Sequence, residues 1–170
     1  MWKKITTFNP QDFANELLER GKRDQDVRMR MDYTDDSPDN PVLKEMLKVD
    51  RDNTDWLRSH VEQFGFPGIS TVGEEGAASA WAIAQHSPDD DFRATALQHM
   101  EANPKDHRAD LRAIMTDRVL RDQGKPQLYG TQYETKDGKN VPFPIQDPDK
   151  VDELRKSMGM GPLKDYLEEK

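Results

Sequence analysis

At Asn9-Pro10 and Asn40-Pro41, asparagine followed by proline marks a place where a helix is expected to begin. The asparagine side chain caps free backbone N–H groups, and proline suits the first helical position because no N–H donor is needed there. Apolar residues recur at helical spacing after both pairs, which predicts helices from Pro10 to about Met31 and from Pro41 to Phe64. Asp147-Pro148 predicts a similar start near the C-terminus. The chain is therefore expected to be mainly helical.

Three more helices are predicted between these points. An alanine-rich helix spans roughly Gly73 to His86, and a fourth begins where Asp89, Asp90 and Asp91 complement its dipole. A fifth runs from about Asp106 to Asp122 and ends at Gly124. These segments follow one another without a linker long enough to separate them. We therefore expect a single domain over residues 1–170.

The pattern changes to strand-like after the fifth helix. Gln127 to Tyr133 alternates, Asp137-Gly138 predicts a hairpin turn, and Val141 to Ile145 is expected to return as a partner strand at an edge. Two short helices close the chain. The predicted fold class is mainly α, a compact multi-helix bundle with a short C-terminal β-hairpin or extended segment.

Composition excludes several classes of function. The chain carries a net charge of -8, so it lacks the basic surface that neutralises nucleic-acid phosphates. No apolar run is long enough for a membrane span, and the start at residues 1–5 lacks the apolar stretch of a secretion signal. There is no cysteine, and no H-E-x-x-H or E-x-x-H pattern for a metal occurs. We therefore expect a cytoplasmic protein with no metal, no cofactor, no nucleic-acid partner and no membrane partner.

Polar residues interrupt the apolar stripes of three predicted helices. The stripe of the first helix continues into Asp24 and Arg28, that of the second meets Asp50 and Asn53, and that of the fifth leads to Asp117 and Arg118. Burying such groups unpaired costs several kcal/mol each, so they must meet one another, water or a ligand. Two interpretations stay open here: a buried network that fixes helix packing, or a polar pocket.

Several short motifs resemble an uncharacterised bacterial family, domain of unknown function 6624. In running order they are D-x-x-x-R from Asp24, D-x-x-N from Asp50, Gln85-His86, T-D-R-V from Thr116, Q-x-Y-G-T-Q from Gln127, and D-P-x-x-V-D-x-x-R from Asp147 to Arg155. The resemblance covers most of the chain, and the Q-x-Y-G-T-Q box is its most specific part. It implies a site but no particular reaction. Ser87-Pro88 displaces the acidic residue that usually follows the histidine, which leaves Asp89, Asp90 and Asp91 as alternatives for it.

The leading hypothesis is a small enzyme that uses metal-independent acid–base chemistry on a small polar or anionic molecule. His86 at a helix C-terminus would move protons, Arg118 would orient or stabilise charge, and Tyr129 would help position the substrate. Arg28 and Arg118 could hold an anion, or could only neutralise nearby carboxylates. Asp117 completes the predicted catalytic set, and the predicted ligand-binding set contains Asp24, Arg28, Asp50, Asn53, Gln85, Gln127, Thr131 and Gln132.

The alternative hypothesis is a noncatalytic ligand- or protein-binding module of the immunity or partner type. In that case the inner polar network only fixes the fold, and the acidic surface steers basic partners. The enzyme hypothesis rests on one further prediction, that His86 and Arg118 face the same hollow beside Tyr129. The other histidines, His60, His99 and His107, have no comparable context and are expected to be structural or exposed.

Overall fold

The computed structural model describes residues 9–32, 34–35 and 37–168, so the expectation about a secretion signal at residues 1–5 lies outside the described residues. The described part is mainly helical and has one antiparallel hairpin, which confirms the predicted fold class. No helix in these ranges is long and apolar enough to cross a membrane. The elements in chain order are α1 (Pro10–Met29), α2 (Pro41–Phe64), α3 (Ile69–Gln85), α4 (Asp90–Ala102), a 3-10 turn (Pro104–Asp106), α5 (Ala109–Asp122), β1 (Tyr133–Lys136), β2 (Lys139–Pro142), α6 (Val151–Ser157) and α7 (Leu163–Glu168).

The contacts of the chain fall into two compact units, residues 1–92 and residues 93–170. The first unit contains α1, α2, α3 and the start of α4, and the second contains the remaining elements. The single domain expected over residues 1–170 stays a prediction.

Both asparagine–proline starts are confirmed. The Asn9 side chain accepts a hydrogen bond from the backbone N–H of Gln11, at 3.0 Å. The Asn40 side chain accepts from Val42 and Leu43, at 2.9 and 3.2 Å. Because each side chain satisfies donors that the first helical turn leaves unpaired, these local residues fix where α1 and α2 begin.

The helix start predicted at Asp147-Pro148 is wrong. Helix α6 begins at Val151, and Lys150 at its N-cap makes no side-chain capping bond. The backbone N–H of Lys150 instead bonds the main-chain oxygen of Asp147 at 3.2 Å. Residues 147–150 therefore form a turn that precedes the helix.

Two other predicted starts are shifted. Helix α3 begins at Ile69, four residues early, but Gly73 within it has φ +74° and ψ 172°, so regular helix resumes only after this break. Helix α5 begins at Ala109 and not near Asp106, because His107 is extended and separates the 3-10 turn from the helix.

The core of the first unit lies where α1 packs against α2 and α3. Five buried apolar residues come from these helices, namely Leu17 and Val27 of α1, Val49 and Leu57 of α2, and Ile83 of α3. On α2 the apolar stripe is only partly covered, since Leu47 and Phe64 stay exposed. Because this core contains few apolar residues, each polar group buried in it lowers the stability of the fold unless it is hydrogen-bonded or paired.

His60 is part of this core, as expected for a structural histidine. It is 3% exposed, and its ring stacks on Phe13 with centroids 3.7 Å apart. Burial lowers the pKa of His60 from 6.5 to about 4.

Acidification should therefore destabilise the protein through His60. The unfolded chain binds the proton near pH 6.5 but the folded chain only near pH 4, so stability is lost as the pH falls between these values. We expect a loss of about 2 kcal/mol in the free energy of unfolding from about pH 7.5 to 5. His60→Phe should remove most of that loss, as measured by urea unfolding at both pH values. An equal loss in both proteins would contradict this assignment.

The C-terminal hairpin is confirmed, although its strands differ from the prediction. Strands β1 and β2 pair antiparallel, with Lys136 opposite Lys139, and Asp137 and Gly138 have φ +51° and +72°. This two-residue turn closes at once, so the return strand begins at Lys139 and not at Val141. The strand predicted over residues 127–133 is also wrong, because only Tyr133 belongs to β1 and Gln127 makes a single isolated bridge to Ile145.

The hydrophobic residues buried in the second unit come from its helices. α4 and α5 supply most of them, and α6 adds one. Arg155 of α6 is also fully buried, at 1% exposure, which is unusual for an arginine and indicates a specific set of partners. The buried hydrophobic residues are Ala96, Met100, Ala113, Met115, Val119 and Val151.

Candidate functional site

Small residues allow α1 and α3 to approach closely. A Cβ atom on Gly21 of α1 would lie only 2.7 Å from the Oγ and 2.9 Å from the Cβ of Ser79 on α3. Ala80 and Ala84 of α3 are fully buried and also add little bulk. One turn after Gly21, this short spacing brings Asp24 to the end of α3, where His86 is the C-cap residue.

His86 and Asp24 form the centre of the candidate site in the first unit. The Nδ1 atom of His86 lies 2.9 and 3.1 Å from the two carboxylate oxygens of Asp24. An ionised carboxylate can only accept, so Nδ1 donates and the neutral ring carries its free lone pair on Nε2. The Asp24 side chain is 1% exposed and that of His86 is 25% exposed. Nε2 has no hydrogen-bond partner among the described residues.

Arg28 joins Asp24 to a second carboxylate. Its Nη1 lies 3.4 Å from Asp24, and its Nη2 donates to Asp50 at 2.9 Å. Burial raises the pKa of Asp50, and the charge of Arg28 opposes that shift. The prediction that Arg28 is available to hold an anion is not favoured by this geometry, because both of its contacts are to carboxylates of the same unit.

Two buried amide side chains of the same unit keep unsatisfied atoms. Asn53 is 1% exposed, and its oxygen accepts from Arg20 at 3.1 Å, but its Nδ2 has no hydrogen bond within the described part of the chain. The Oε1 of Gln85, the residue before His86, is likewise buried and unbonded there. Buried polar atoms are normally hydrogen-bonded, so these two mark positions for water or for polar atoms of a ligand.

The carboxylate partner of His86 among the described residues is Asp24, and none of the acidic residues that follow it. Asp89 instead accepts from the backbone N–H of Phe92 and pairs with Arg58, so it caps the start of α4. Which of Asp89, Asp90 and Asp91 corresponds to the acidic residue that usually follows the histidine stays a prediction. The contact between Asp24 and His86 joins residues 62 positions apart.

Asp117 holds the Q-x-Y-G-T-Q segment of the second unit. Its carboxylate is fully buried and accepts from the backbone N–H groups of Leu128, Tyr129 and Thr131 at 2.8, 3.0 and 2.9 Å, and from the Thr131 hydroxyl at 2.9 Å. Gly130 supplies the positive φ of 69° that this turn around the carboxylate requires. These bonds explain why residues 128–132 are a loop and not a strand. They favour a positioning role for Asp117, and its predicted catalytic role stays a prediction.

Gln127 and Arg155 close the loop from the other side. The Gln127 side chain donates to the main-chain oxygens of Gln132 and Phe143 and accepts from the Gln132 N–H, all at 2.9 Å. Arg155 donates to the main-chain oxygens of Tyr129 and Gly161 at 2.8 and 2.7 Å. Gln127 and Thr131 thus make their hydrogen bonds within the protein, and their predicted ligand-binding roles stay predictions. The amide of Gln132 donates to the Thr131 hydroxyl at 3.2 Å.

Tyr129 and Arg118 differ from these residues, because the hydroxyl of Tyr129 and the guanidinium of Arg118 make none of the hydrogen bonds described for the loop. The pKa of the Tyr129 hydroxyl is raised by burial and by the charges of Glu101 and Asp117. The Nε of Arg118 is buried and makes no hydrogen bond in the described ranges. Burial lowers the pKa of Arg118, and the nearby charges of Arg121 and Arg93 act in the same direction.

The structure thus gathers the predicted residues into two groups, one in each unit. His86, Asp24, Arg28 and Asp50 are joined by direct contacts in the first. In the second, Asp117, Thr131, Gln127 and Gln132 are joined in the same way. The hollow expected to be shared by His86 and Arg118 stays a prediction. Within the described ranges, no group of three or more His, Cys, Asp or Glu residues is placed to hold a metal ion.

Sequence reasoning missed two residues that support the site. The amide of Gln25 donates to the Asp24 carboxylate at 2.8 Å, and no periodic pattern indicated that contact. Arg155 was named only as the last residue of the D-P-x-x-V-D-x-x-R motif. It lies on α6 and donates a hydrogen bond to the main-chain oxygen of Tyr129 in the loop. An arginine on the inward face of a short helix was the available signal.

Comparison with known proteins shows the family. No curated protein and no solved structure matches this chain. The model of one family, described as a family of unknown function (DUF6624), matches residues 11–169. The motifs that form the two groups of contacts all lie inside that range. The chain therefore belongs to the family DUF6624.

Proposed function

We propose that this protein is an enzyme that moves protons on a small polar or anionic substrate, with His86 as its general acid and base. The observation that carries the proposal is the asymmetry of the His86 ring. Nδ1 is held by a buried carboxylate, whereas Nε2 is unbonded within the described residues on a partly exposed ring. A histidine that exchanges protons with a substrate needs this arrangement, since one nitrogen fixes the ring and the other reacts.

Asp24 is the positioning residue in this proposal. It fixes the tautomer of His86 and would stabilise the imidazolium when the ring takes up a proton. Arg28 and Gln25 hold the Asp24 carboxylate in turn. The unsatisfied amide atoms of Asn53 and Gln85 support a polar ligand beside this pair, because one is a donor and the other an acceptor.

The role of Asp24 can be tested without a known substrate. In the wild-type protein the neutral His86 ring should carry its hydrogen on Nδ1, as read from nitrogen chemical shifts in NMR spectra. Asp24→Asn should raise the population of the other tautomer, because an amide can donate as well as accept. Asp26→Asn, an exposed position on the same helix, is the matched control. Identical tautomer populations in wild type and Asp24→Asn would remove the positioning role.

The catalytic role of His86 needs a turnover measurement. A panel of polar metabolites would be screened by thermal shift, and each ligand found would be followed for conversion. His86→Gln should retain the fold and lower the rate of conversion by about 10²–10⁴-fold, the usual contribution of a general acid or base. His99→Gln is the control for loss of a histidine. Conversion at the same rate in His86→Gln would refute the proposal.

A noncatalytic binding module is the second candidate, and the pairing of Arg28 favours it. Because Arg28 contacts both Asp24 and Asp50, the charges largely satisfy one another, as in a network that only fixes helix packing. Under this alternative the wild-type protein binds its ligand or partner without converting it. In that case His86→Gln would change stability more than it changes binding.

A further inference from the structure

A second group of charges, on α5, is not part of the His86 proposal. Arg118 and Arg121 are one turn apart on this helix, so their side chains emerge on the same side. Neither forms an ion pair with a carboxylate among the described residues. The one carboxylate of this turn, Asp122, binds the Nε of Arg93 at 2.8 Å. The group thus has three guanidinium ions and a carboxylate that is already engaged.

We propose that Arg118 and Arg121 form a binding site for a phosphate-type dianion. Two unpaired guanidinium ions carry two positive charges, which match the charge of a phosphate monoester or of free phosphate. A carboxylate would need only one forked arginine, whereas a phosphate group has enough oxygens to accept from two. The site lies within the second unit.

The surroundings of both arginines support this assignment. The Nε of Arg118 is buried and has no hydrogen bond within the described residues, and a buried donor left unsatisfied is costly, so an oxygen of an anion in that position would remove the cost. Burial and the like charges of Arg121 and Arg93 lower the pKa of Arg118, and the charge of Asp122 opposes that shift only in part. The guanidinium of Arg121 lies 4.4 Å from the centre of the Phe143 ring, which fixes its plane and leaves its N–H groups at the edge free to donate.

The remaining charges of the region do not fill the site. Asp122 lies one turn from Arg118, but its bond to Arg93 engages it. Asp117 adjoins Arg118 in the chain, but its carboxylate already accepts hydrogen bonds from the backbone of residues 128–131. Arg112 of the same helix is paired with Glu101 at 3.2 Å. Arg118 and Arg121 are therefore the arginines of α5 that have no carboxylate partner among the residues that the structure describes.

Phosphorus NMR with inorganic phosphate tests the proposal directly. Phosphate added to the full chain at constant ionic strength should show a saturable shift, and chloride or acetate should compete only weakly. Arg118→Gln and Arg121→Gln should each weaken phosphate binding at least about tenfold, the loss expected for one charge-assisted hydrogen bond. Arg108→Gln, which removes an exposed arginine paired with Asp110, should leave binding unchanged.

Further arms of the experiment separate the possible outcomes. Glycerol phosphate that binds more tightly than inorganic phosphate would identify a monoester as the ligand, and the reverse would identify free phosphate. Arg118→Lys keeps the charge but loses the fork, so it should bind with intermediate affinity. Phosphate binding that is absent, or unchanged in Arg121→Gln, would overturn the proposal, and Arg121 is exposed enough for that variant to fold. Neither arginine variant should alter the tautomer of His86, so the two proposals can fail independently.

Discussion

Asp117→Ala should lower the free energy of unfolding by about 3–5 kcal/mol. The change removes four hydrogen bonds to a fully buried carboxylate and leaves the N–H groups of Leu128, Tyr129 and Thr131 without their acceptor. Each buried donor left unsatisfied costs about 1–3 kcal/mol, although the loop will relax and recover part of it. Urea unfolding gives the total loss, and amide hydrogen exchange at Leu128 and Thr131 shows whether the loop has opened.

Two further variants make the Asp117 prediction specific. Asp117→Asn keeps one acceptor oxygen, so it should lose about half as much stability as the alanine variant. Asp149→Ala, at an exposed position of the same unit, should change stability by less than about 0.5 kcal/mol. A loss below about 1 kcal/mol for Asp117→Ala would show that the carboxylate does not hold the loop.

Gly21→Val should destabilise the first unit by about 3 kcal/mol. The new Cβ would lie within 3 Å of both the Cβ and the Oγ of Ser79, and two methyl groups would follow it. Helices α1 and α3 would have to move apart, since the Cβ atom of Ser79 is bonded directly to the backbone and cannot rotate out of the way. The same movement would separate Asp24 from His86, so the variant should also lose the preference of His86 for one tautomer.

A second-site change tests whether the contact with Ser79 is the cause. Ser79→Gly removes the two nearest atoms, so it should restore part of the stability and of the His86 tautomer in the Gly21→Val background. Glu19→Val, on an exposed position of α1, measures the cost of a β-branched residue in the helix, about 0.5 kcal/mol. Equal losses in Gly21→Val and Glu19→Val would mean that the helices are not in close contact there.

The parts of this fold that depend on residues close together in the sequence could be predicted from the sequence. Asn9-Pro10 and Asn40-Pro41 set the first two helix starts because a cap acts over two or three residues. The burial of Asp24, Asp50 and Asn53 also followed from their places on apolar stripes. In each case the information lies within one helix.

Interactions between distant segments could not be predicted in the same way. Periodicity shows that Asp24 faces inward but not that it meets His86, because that pairing depends on how closely two helices approach. The alternation from Gln127 to Tyr133 is typical of a strand, but it overlooks Asp117, which bends the chain by collecting its N–H groups. Equally, Arg28 and Arg118 look alike in sequence. Only the contacts of Arg28 with two carboxylates distinguish them.

The bond from Arg155 to the Tyr129 carbonyl has a consequence for synthesis of the chain. Residues 127–132 leave the ribosome well before residue 155 does, since 26 positions separate the two partners. Until α6 has been translated, that carbonyl lacks the arginine that engages it, and water must occupy its place. The loop therefore cannot complete its native hydrogen bonding before α6 has been made, and its final geometry depends on a segment that is translated after it.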